Sequence, residues 1–436
     1  MFQMWKLLFT FAQQKLVFHD KLNKMMPKLH LFSYITFLFL LALPTYTVYG
    51  QESQLNANLD SIDISLLTCG PGNESYSYYG HTAIRIHDKR DQRDLVVNYG
   101  MFSFGQKHFV WRFIFGLTDY QMGMTSFADF MKEYETEGRW VQEQLLNLTP
   151  SEKEAIVMAV LENSLPENVE YRYNIFYDNC TTRARDMIVR HIKGKVKYGE
   201  DERGEPTYRD LVHYCTNYHP WSRFGNDLLL GVKADRKTSK EEQQFLPVNL
   251  YEDFSKAVIV GADRKQRPLV SSEIILIPEM GITPSSGITP KACLLIVAFL
   301  ILSLTGWEFF RRANFWLLDV VVFLLLGLAG LVLTAMIFSQ HPTVSVNLQI
   351  LLLNPLALVG VIGLVGVVGV VGKSRGKLNG KTKGKLKGKR IYLVAVLFLL
   401  LFLLGGFWQS YAEGLTILAL SLLLRYVMKL VMIIKG

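Results

Sequence analysis

The sequence predicts an α+β soluble domain followed by an all-α transmembrane bundle. Half of the 436 residues are hydrophobic, and the long apolar runs are concentrated after residue 285. Residues 51–285 have the mixed composition of a globular domain. We therefore divide the chain into a signal peptide or N-terminal anchor (1–50), a soluble domain (51–285) and a membrane domain of about five helices (286–436).

The N-terminal segment has the features of a secretory signal. An apolar run at residues 31–49 follows Lys21, Lys24 and Lys28 and ends close to Gly50. Basic residues, an apolar run and a small-residue site in this order are typical of a signal peptide. The alternative is an uncleaved anchor helix, and both place the next domain outside the cytoplasm.

The C-terminal third contains five apolar runs near the length needed to cross a bilayer. They follow a Pro-containing linker at 271–290 and cover residues 292–310, 315–338, 348–371, 391–407 and 415–434. Arg311 and Arg312 lie between the first two runs, and 373–390 between the third and fourth. Because basic connections stay in the cytoplasm, we expect the soluble domain outside the cytoplasmic membrane and the C-terminus in the cytoplasm.

The positive charge of the chain is concentrated in the membrane domain. Residues 373–390 hold nine Lys or Arg and no acid, which equals the net charge of +9. A basic loop between membrane spans favours contact with anionic lipid, so we expect no nucleic-acid partner. Arg425 and Lys429 lie inside the fifth run, where they either bind a lipid phosphate or extend toward the cytoplasmic surface.

The soluble domain begins with predicted strands at 62–67, 82–87 and 95–99, which are rich in β-branched residues. A helix begins at Pro150, with Thr149 and Glu152 as a capping box. A second helix begins at Cys180 after the N-cap Asn179, and the pattern predicts that it continues past Ile192 to a stop at Gly194.

Cys180 is the first candidate for chemistry. The free N–H groups and the positive dipole end of a helix N-terminus favour a thiolate and can hold an oxyanion. Arg183 adds positive charge one turn later. The alternative is an inert buried cysteine. Since the soluble domain contains three cysteines, Cys69, Cys180 and Cys215, one of them is expected to be a free thiol.

His81 is the second candidate. It begins a strand directly after Gly80, and imidazole is a suitable base for a thiol nucleophile. The alternative is a structural histidine. His213 and His219 flank Cys215 without a metal-binding motif, so we expect no metal and no cofactor.

The order of these two residues resembles that of circularly permuted papain-like proteins, including the lecithin:retinol acyltransferase group. In that group His precedes an Asn-Cys pair that opens a helix. A closer resemblance, to the Lnb-type family of Bacteroidetes, rests on YGHTAIRI (79–86), NYG (98–100), NLT (147–149), DNCTTR (178–183) and FLP (245–247).

This resemblance implies a bacterial inner-membrane protein with a periplasmic catalytic domain and a multi-helix membrane part, associated with N-acylation of lipoproteins. It implies that His81 and Cys180 are the catalytic pair, with a membrane phospholipid as acyl donor and a lipoprotein N-terminus as acceptor. Four further residues are candidates for holding an oxyanion or orienting the imidazole: Asn98, Tyr99, Asn179 and Thr181.

Three other functions use the same residues. The pair could hydrolyse peptidoglycan amide bonds, although a soluble substrate would not explain five membrane spans. It could act as a phospholipase that transfers the acyl group to water. The domain could also be a non-catalytic membrane assembly module, with Cys180 in a disulfide with Cys69 or Cys215.

An aromatic-rich run at 109–115, which continues to Tyr120, Met122 and Met124, allows two interpretations. Aromatic residues at every second position are typical of a packed core element. Alternatively, Trp111, Arg112 and Phe113 contact lipid at a membrane-facing surface or acyl groove, with Arg112 meeting a phosphate.

Overall fold

A computed structural model confirms the α+β domain followed by a helical bundle. The signal segment, part of the linker and part of the basic run lie outside the described residues. The structure describes residues 59–102, 107–200, 202–279, 281, 287–373 and 378–435.

The described residues form ten strands and thirteen α-helices. The strands are β1 Ile62–Cys69, β2 His81–Asp88, β3 Arg93–Met101, β4 Asp119–Ser126, β5 Val141–Leu146, β6 Glu170–Arg172, β7 Lys195–Lys197, β8 Val258–Val260, β9 Gln266–Pro268 and β10 Val270–Ile277. The helices of the soluble domain are α1 Phe109–Ile114, α2 Phe127–Glu137, α3 Pro150–Asn163, α4 Cys180–Val189, α5 Tyr208–Cys215, α6 Pro220–Leu229, α7 Lys240–Gln243 and α8 Pro247–Ser255. The membrane domain contains α9 Pro290–Arg311, α10 Trp316–Ile337, α11 Ala357–Lys373, α12 Leu378–Gly405 and α13 Leu415–Lys435.

The soluble domain is built on a seven-stranded antiparallel sheet with the order β10-β5-β1-β2-β3-β4-β6. The three predicted strands are its adjacent members β1, β2 and β3. Alternate side chains of these strands, including Leu66, Ile84 and Val97, enter one core with Ala184 and Ile188 of α4. The helix that begins at Cys180 therefore packs on the strand that begins at His81.

Both predicted helix starts in this domain are confirmed. Thr149 and Glu152 form the capping box of α3, and Asn179 caps α4. The predicted end of α4 is wrong, because the helix stops at Val189. Gly194 instead has φ +134° where the chain turns into β7, and a β-carbon there would lie 2.6 Å from the Val260 carbonyl oxygen.

Four of the membrane helices, α9, α10, α12 and α13, are long and apolar enough to cross a bilayer. The predicted third span differs, because it begins with a 3₁₀ turn at Leu348–Leu351 and becomes α-helical only at Ala357. The non-helical stretch packs on α10, where a β-carbon on Gly330 would lie 2.5 Å from the Pro355 nitrogen. Non-helical backbone at membrane depth is tolerated where protein covers it.

The basic run is not simply a loop. Lys373 is the last residue of α11, and α12 already begins at Leu378, so the described part of the run is mostly helical. A helix that has formed over the apolar residues of α12 extends readily into neighbouring residues that permit it.

Both interpretations of Arg425 and Lys429 are wrong, because the two side chains are buried in an ion-pair cluster between membrane helices. Arg425 lies 2.6 Å from Asp319 and 3.2 Å from Glu308. Lys429 pairs with the same two carboxylates. The Tyr392 hydroxyl donates to Asp319 at 2.9 Å. Two cations and two anions from α9, α10 and α13 thus neutralise one another away from lipid.

The soluble domain is attached to the membrane domain at the C-terminal end of α6. The last carbonyl groups of a helix have no partner within the helix. Side-chain amides of the membrane domain donate to carbonyl groups at this end at 2.7–3.0 Å: Gln349 to Asp227, Asn347 to Leu228 and Gln409 to Leu230. The adjacent Gly231 donates its backbone N–H to Thr343 at 2.8 Å. These contacts fix the soluble domain on the membrane helices.

We expect Arg425→Ala to destabilise the membrane domain by about 3–5 kcal/mol, because it leaves buried carboxylates without one cationic partner. Thermal unfolding of the purified chain in detergent measures this loss. Arg311→Ala, which removes an exposed arginine from α9, is the matched control and should change little. Equal melting temperatures for the two variants would contradict a stabilising role for the cluster.

Candidate active site

The start of α4 is held by Asn179. Its side-chain oxygen accepts from the backbone N–H groups of Thr181 and Thr182 at 3.0 and 2.9 Å, and its amide nitrogen donates to the Phe245 carbonyl at 2.8 Å. The side chain is buried and fully used in capping. Asn179 therefore positions Cys180, and it does not supply the oxyanion contact that was one of its predicted roles.

Cys180 is partly exposed and its sulfur is surrounded by groups that favour a thiolate. Burial raises the pKa of this thiol, but the neighbouring His81 charge, a hydrogen bond with His81 and the Thr82 backbone N–H outweigh it, so the pKa falls to about 7. The Thr181 hydroxyl lies 3.8 Å from the sulfur. The thiol is thus ionised in a substantial fraction of molecules at neutral pH.

The pKa of His81 is shifted in the opposite direction to that of Cys180. Burial lowers its pKa, but the Cys180 charge and hydrogen bonds to Cys180 and Asn98 raise it above its usual value. His81 Nε2 lies 3.0 Å from Asn98 Oδ1, so this nitrogen donates and Nδ1 is left to exchange a proton with the thiol. Asn98 thus orients the imidazole, and the two shifts together favour a thiolate–imidazolium pair.

Tyr99 does not share this role. Successive residues of a strand point to opposite faces of the sheet. The Tyr99 side chain enters the core, where its hydroxyl donates to Asn163 at 3.0 Å. The prediction of Tyr99 as an orienting residue is therefore wrong.

Thr181 joins the two halves of the site. It is fully buried, and its hydroxyl accepts from the Thr82 hydroxyl at 3.1 Å. That bond ties the first turn of α4 to the beginning of β2. Its main effect is to hold Cys180 beside His81.

The other soluble-domain cysteines differ from Cys180. Burial raises the pKa of Cys69 and of Cys215 to about 12. All three are free thiols in the described part of the chain. The structure therefore gives no disulfide between Cys180 and either of the others.

Arg183 does not contribute its charge to the thiol in the way predicted. Its guanidinium binds the Asp178 carboxylate at 2.6 and 2.8 Å and lies 3.5 Å from the centre of the Tyr171 ring. Its charge is therefore engaged by Asp178, and His81 is the main cationic partner of the thiol.

Both segments that form the site are tied to residues near the membrane. Asn226, on α6, donates to the Tyr79 hydroxyl at 3.1 Å, two residues before His81. Asn174 lies 3.3 Å from His341, just beyond the end of α10, and precedes Cys180 in the same loop. The site is thus held close to one end of the membrane helices.

Comparison with known families agrees with this architecture. A family model of the Lnb N-terminal periplasmic domain matches residues 50–214, and a model of the Lnb transmembrane domain matches residues 282–372. The two models together cover more than half of the chain. The chain belongs to the Lnb family. A search of curated proteins and a search of solved structures each found no match.

Membership of the Lnb family establishes a periplasmic N-terminal domain on a membrane domain, and hence an inner-membrane protein. Helix α6 and residues 339–347 are where the two domains meet. The candidate site of this Lnb family member therefore lies on the membrane-proximal side of its periplasmic domain.

The first part of the aromatic-rich run is a short exposed helix, α1, so its interpretation as a core element is wrong there, whereas Tyr120, Met122 and Met124 of β4 do pack in the core. Val110 is 66%, Trp111 61% and Phe113 47% exposed. Arg112 is paired with Asp119 rather than open to a phosphate. The helix lies beside the end of α10, because the Phe115 carbonyl accepts from Gln340 N–H at 3.0 Å.

We expect Cys180 of this Lnb family member to be alkylated with a pH midpoint near 7, as its lowered pKa requires. An ordinary thiol has a midpoint of about 8.5. His81→Ala removes the stabilising cation and should raise the midpoint to or above that value. Iodoacetamide labelling across pH, read by mass spectrometry of the Cys180 peptide, measures both. A wild-type midpoint at or above 8.5 would refute the activated thiol.

Proposed function

We propose that this protein is a cysteine-dependent acyltransferase that moves an acyl chain from a membrane phospholipid to the α-amine of a diacylglyceryl-cysteine lipoprotein. The observation that carries the proposal is a low-pKa thiol, paired with His81, on a periplasmic domain fixed to membrane helices. Both substrates are embedded in the membrane, and the attachment raises their effective concentration at the site.

In the first step the Cys180 thiolate attacks an ester carbonyl of the phospholipid. The C–O bond to the glycerol breaks, and a thioester forms on the sulfur. The His81 imidazolium gives its proton to the departing lysophospholipid oxygen. Asn98 keeps the imidazole in the orientation that this transfer needs.

In the second step the lipoprotein α-amine attacks the thioester. An α-amine has a pKa of about 7.7–8.0, so a minority is uncharged and nucleophilic at neutral pH. His81 Nδ1 accepts the proton that the amine loses, and the C–S bond breaks. The products are an amide on the lipoprotein and the restored thiolate–imidazolium pair.

Purified protein incubated with phospholipid vesicles and a synthetic diacyl lipopeptide tests the reaction. Mass spectrometry should detect a lipopeptide heavier by one acyl group, and Cys180→Ser and His81→Ala should abolish it. Release of free fatty acid without a triacyl product would instead indicate a phospholipase. Cleavage of peptidoglycan fragments, with no lipid product, would indicate an amidase.

Helix α1 is the surface through which the periplasmic domain contacts lipid. Its exposed Val110, Trp111 and Phe113 lie beside the periplasmic end of α10, and the end of a membrane-spanning helix is expected to lie close to the bilayer interface. Aromatic side chains are favoured at that interface. Since Arg112 is paired with Asp119, the contact is mainly apolar.

We expect Trp111→Ala to leave the melting temperature nearly unchanged, because the side chain is exposed. The variant should lose activity on vesicle phospholipid while it hydrolyses or transfers a short-chain soluble ester normally. Met158→Ala, which removes an exposed apolar side chain from α3, is the control. Equal impairment of Trp111→Ala on both substrates would exclude a lipid-contacting role.

The C-terminus lies in the cytoplasm, which requires that α11 also crosses the membrane. A cysteine introduced at Lys381, in the basic run of a Cys180→Ser background, should resist membrane-impermeant thiol reagents until the membrane is permeabilised. Ready labelling in intact spheroplasts would contradict five crossings, because with only four crossings the basic run would lie in the periplasm.

A further inference from the structure

One backbone donor at the candidate site has no assigned partner. The Asn179 side chain caps the N–H groups of Thr181 and Thr182 but not that of Cys180. Among the described residues the Cys180 N–H has no hydrogen-bond partner. A free N–H at a helix N-terminus is suited to bind an anionic oxygen.

A second donor lies close by. The Tyr171 side chain is only 7% exposed, and its hydroxyl, which lies close to the Gly100 backbone, donates to no acceptor among the described residues. A buried hydroxyl without an acceptor is unfavourable, because it has lost its hydrogen bonds to water. Such a group in a native structure needs an explanation, and a role in catalysis is one.

Gly100 leaves a space beside the Cys180 side chain and the Tyr171 hydroxyl. A β-carbon placed on Gly100 would lie 3.7 Å from Cys180 Cβ, 3.9 Å from the Tyr171 hydroxyl oxygen and 4.0 Å from the Tyr173 ring. These are ordinary van der Waals distances, so an additional atom fits there. The space therefore adjoins both the nucleophilic residue and this hydroxyl.

The Arg183 guanidinium improves Tyr171 as a donor. It lies 3.5 Å from the centre of the Tyr171 ring and is held there by Asp178. A cation over the ring face withdraws electron density from the phenol and strengthens its O–H as a donor. Burial keeps the phenol protonated, since it raises the Tyr171 pKa well above the usual value.

We propose that Tyr171 is a further catalytic residue, whose hydroxyl forms an oxyanion hole together with the Cys180 backbone N–H, in the space beside Gly100. This rests on the proposed acyl transfer through Cys180. When the thiolate adds to the carbonyl carbon, the C=O electron pair moves onto the oxygen, which accepts these two hydrogen bonds. No proton is transferred to it, and the pair returns to the carbonyl as the C–O bond of the leaving group breaks.

Tyr171→Phe removes only the hydroxyl and tests this assignment. Acylation of Cys180 by p-nitrophenyl butyrate passes through an oxyanion, whereas alkylation by iodoacetamide is a direct displacement without one. The variant should acylate about 100-fold more slowly, the usual cost of losing one oxyanion donor. It should alkylate at the wild-type rate and with the wild-type pH midpoint.

Tyr208→Phe is the matched control. Tyr208 is also buried, and an arginine, Arg236, lies over its ring. Burst release of p-nitrophenolate and the mass of the Cys180 peptide follow acylation in the full-length protein. The control should acylate at the wild-type rate.

The outcomes are distinguishable. If Tyr171→Phe acylates normally, or if its acylation and alkylation slow equally, Tyr171 is not an oxyanion donor. If Cys180 of the wild-type chain is not acylated at all, this assignment and the proposed acyl transfer both fail. If Cys180 is acylated through Tyr171 but no lipopeptide is modified, only the lipoprotein acceptor is wrong.

Discussion

The position of the periplasmic domain depends on the hydrogen bonds that Asn347, Gln349 and Gln409 donate to the end of α6. Without these amides the carbonyl groups would be buried in the domain contact without partners, so each hydrogen bond supports that contact. Helix α6 also carries Asn226, which binds Tyr79 near His81. The same contacts therefore attach the domain to the membrane helices and support one side of the candidate site. The ion-pair cluster of Arg425 and Lys429 holds the opposite ends of those helices together.

The chemistry of the site follows from where two elements begin. His81 is the first residue of β2, and Cys180 is the first residue of α4. The Thr82–Thr181 hydrogen bond joins the residues that come next in each element, so backbone geometry places imidazole beside thiol. Burial alone would raise the thiol pKa, as it does for Cys69 and Cys215, and the imidazole reverses that effect. A reactive thiol thus requires the contact with His81.

The sequence predicted those parts of the fold that local chemistry decides. Alternating β-branched residues marked β1 to β3, and the capping residues Thr149 and Asn179 marked two helix starts.

Properties that depend on distant residues were predicted less well. Asn98 and Tyr99 are neighbours, and only the pairing of β3 shows which one faces His81. The partners of Arg425 lie on two other helices, and α1 was misread because aromatic residues at every second position suggested a packed core element. Tyr171 carries no local signal at all, since it lies in a three-residue strand.

The most direct measurement of the central claim is the capture of an acyl group on Cys180 from phospholipid alone. Purified full-length protein is incubated with phospholipid vesicles without an acceptor, quenched in acid and analysed by peptide mass spectrometry. The account predicts one acyl adduct on the Cys180 peptide that hydroxylamine removes, because a thioester reacts with that nucleophile, and it predicts no adduct in His81→Ala. If Cys180 alkylates readily near pH 7 and yet acquires no acyl group under these conditions, the thiol is activated for a different reaction and the account is contradicted.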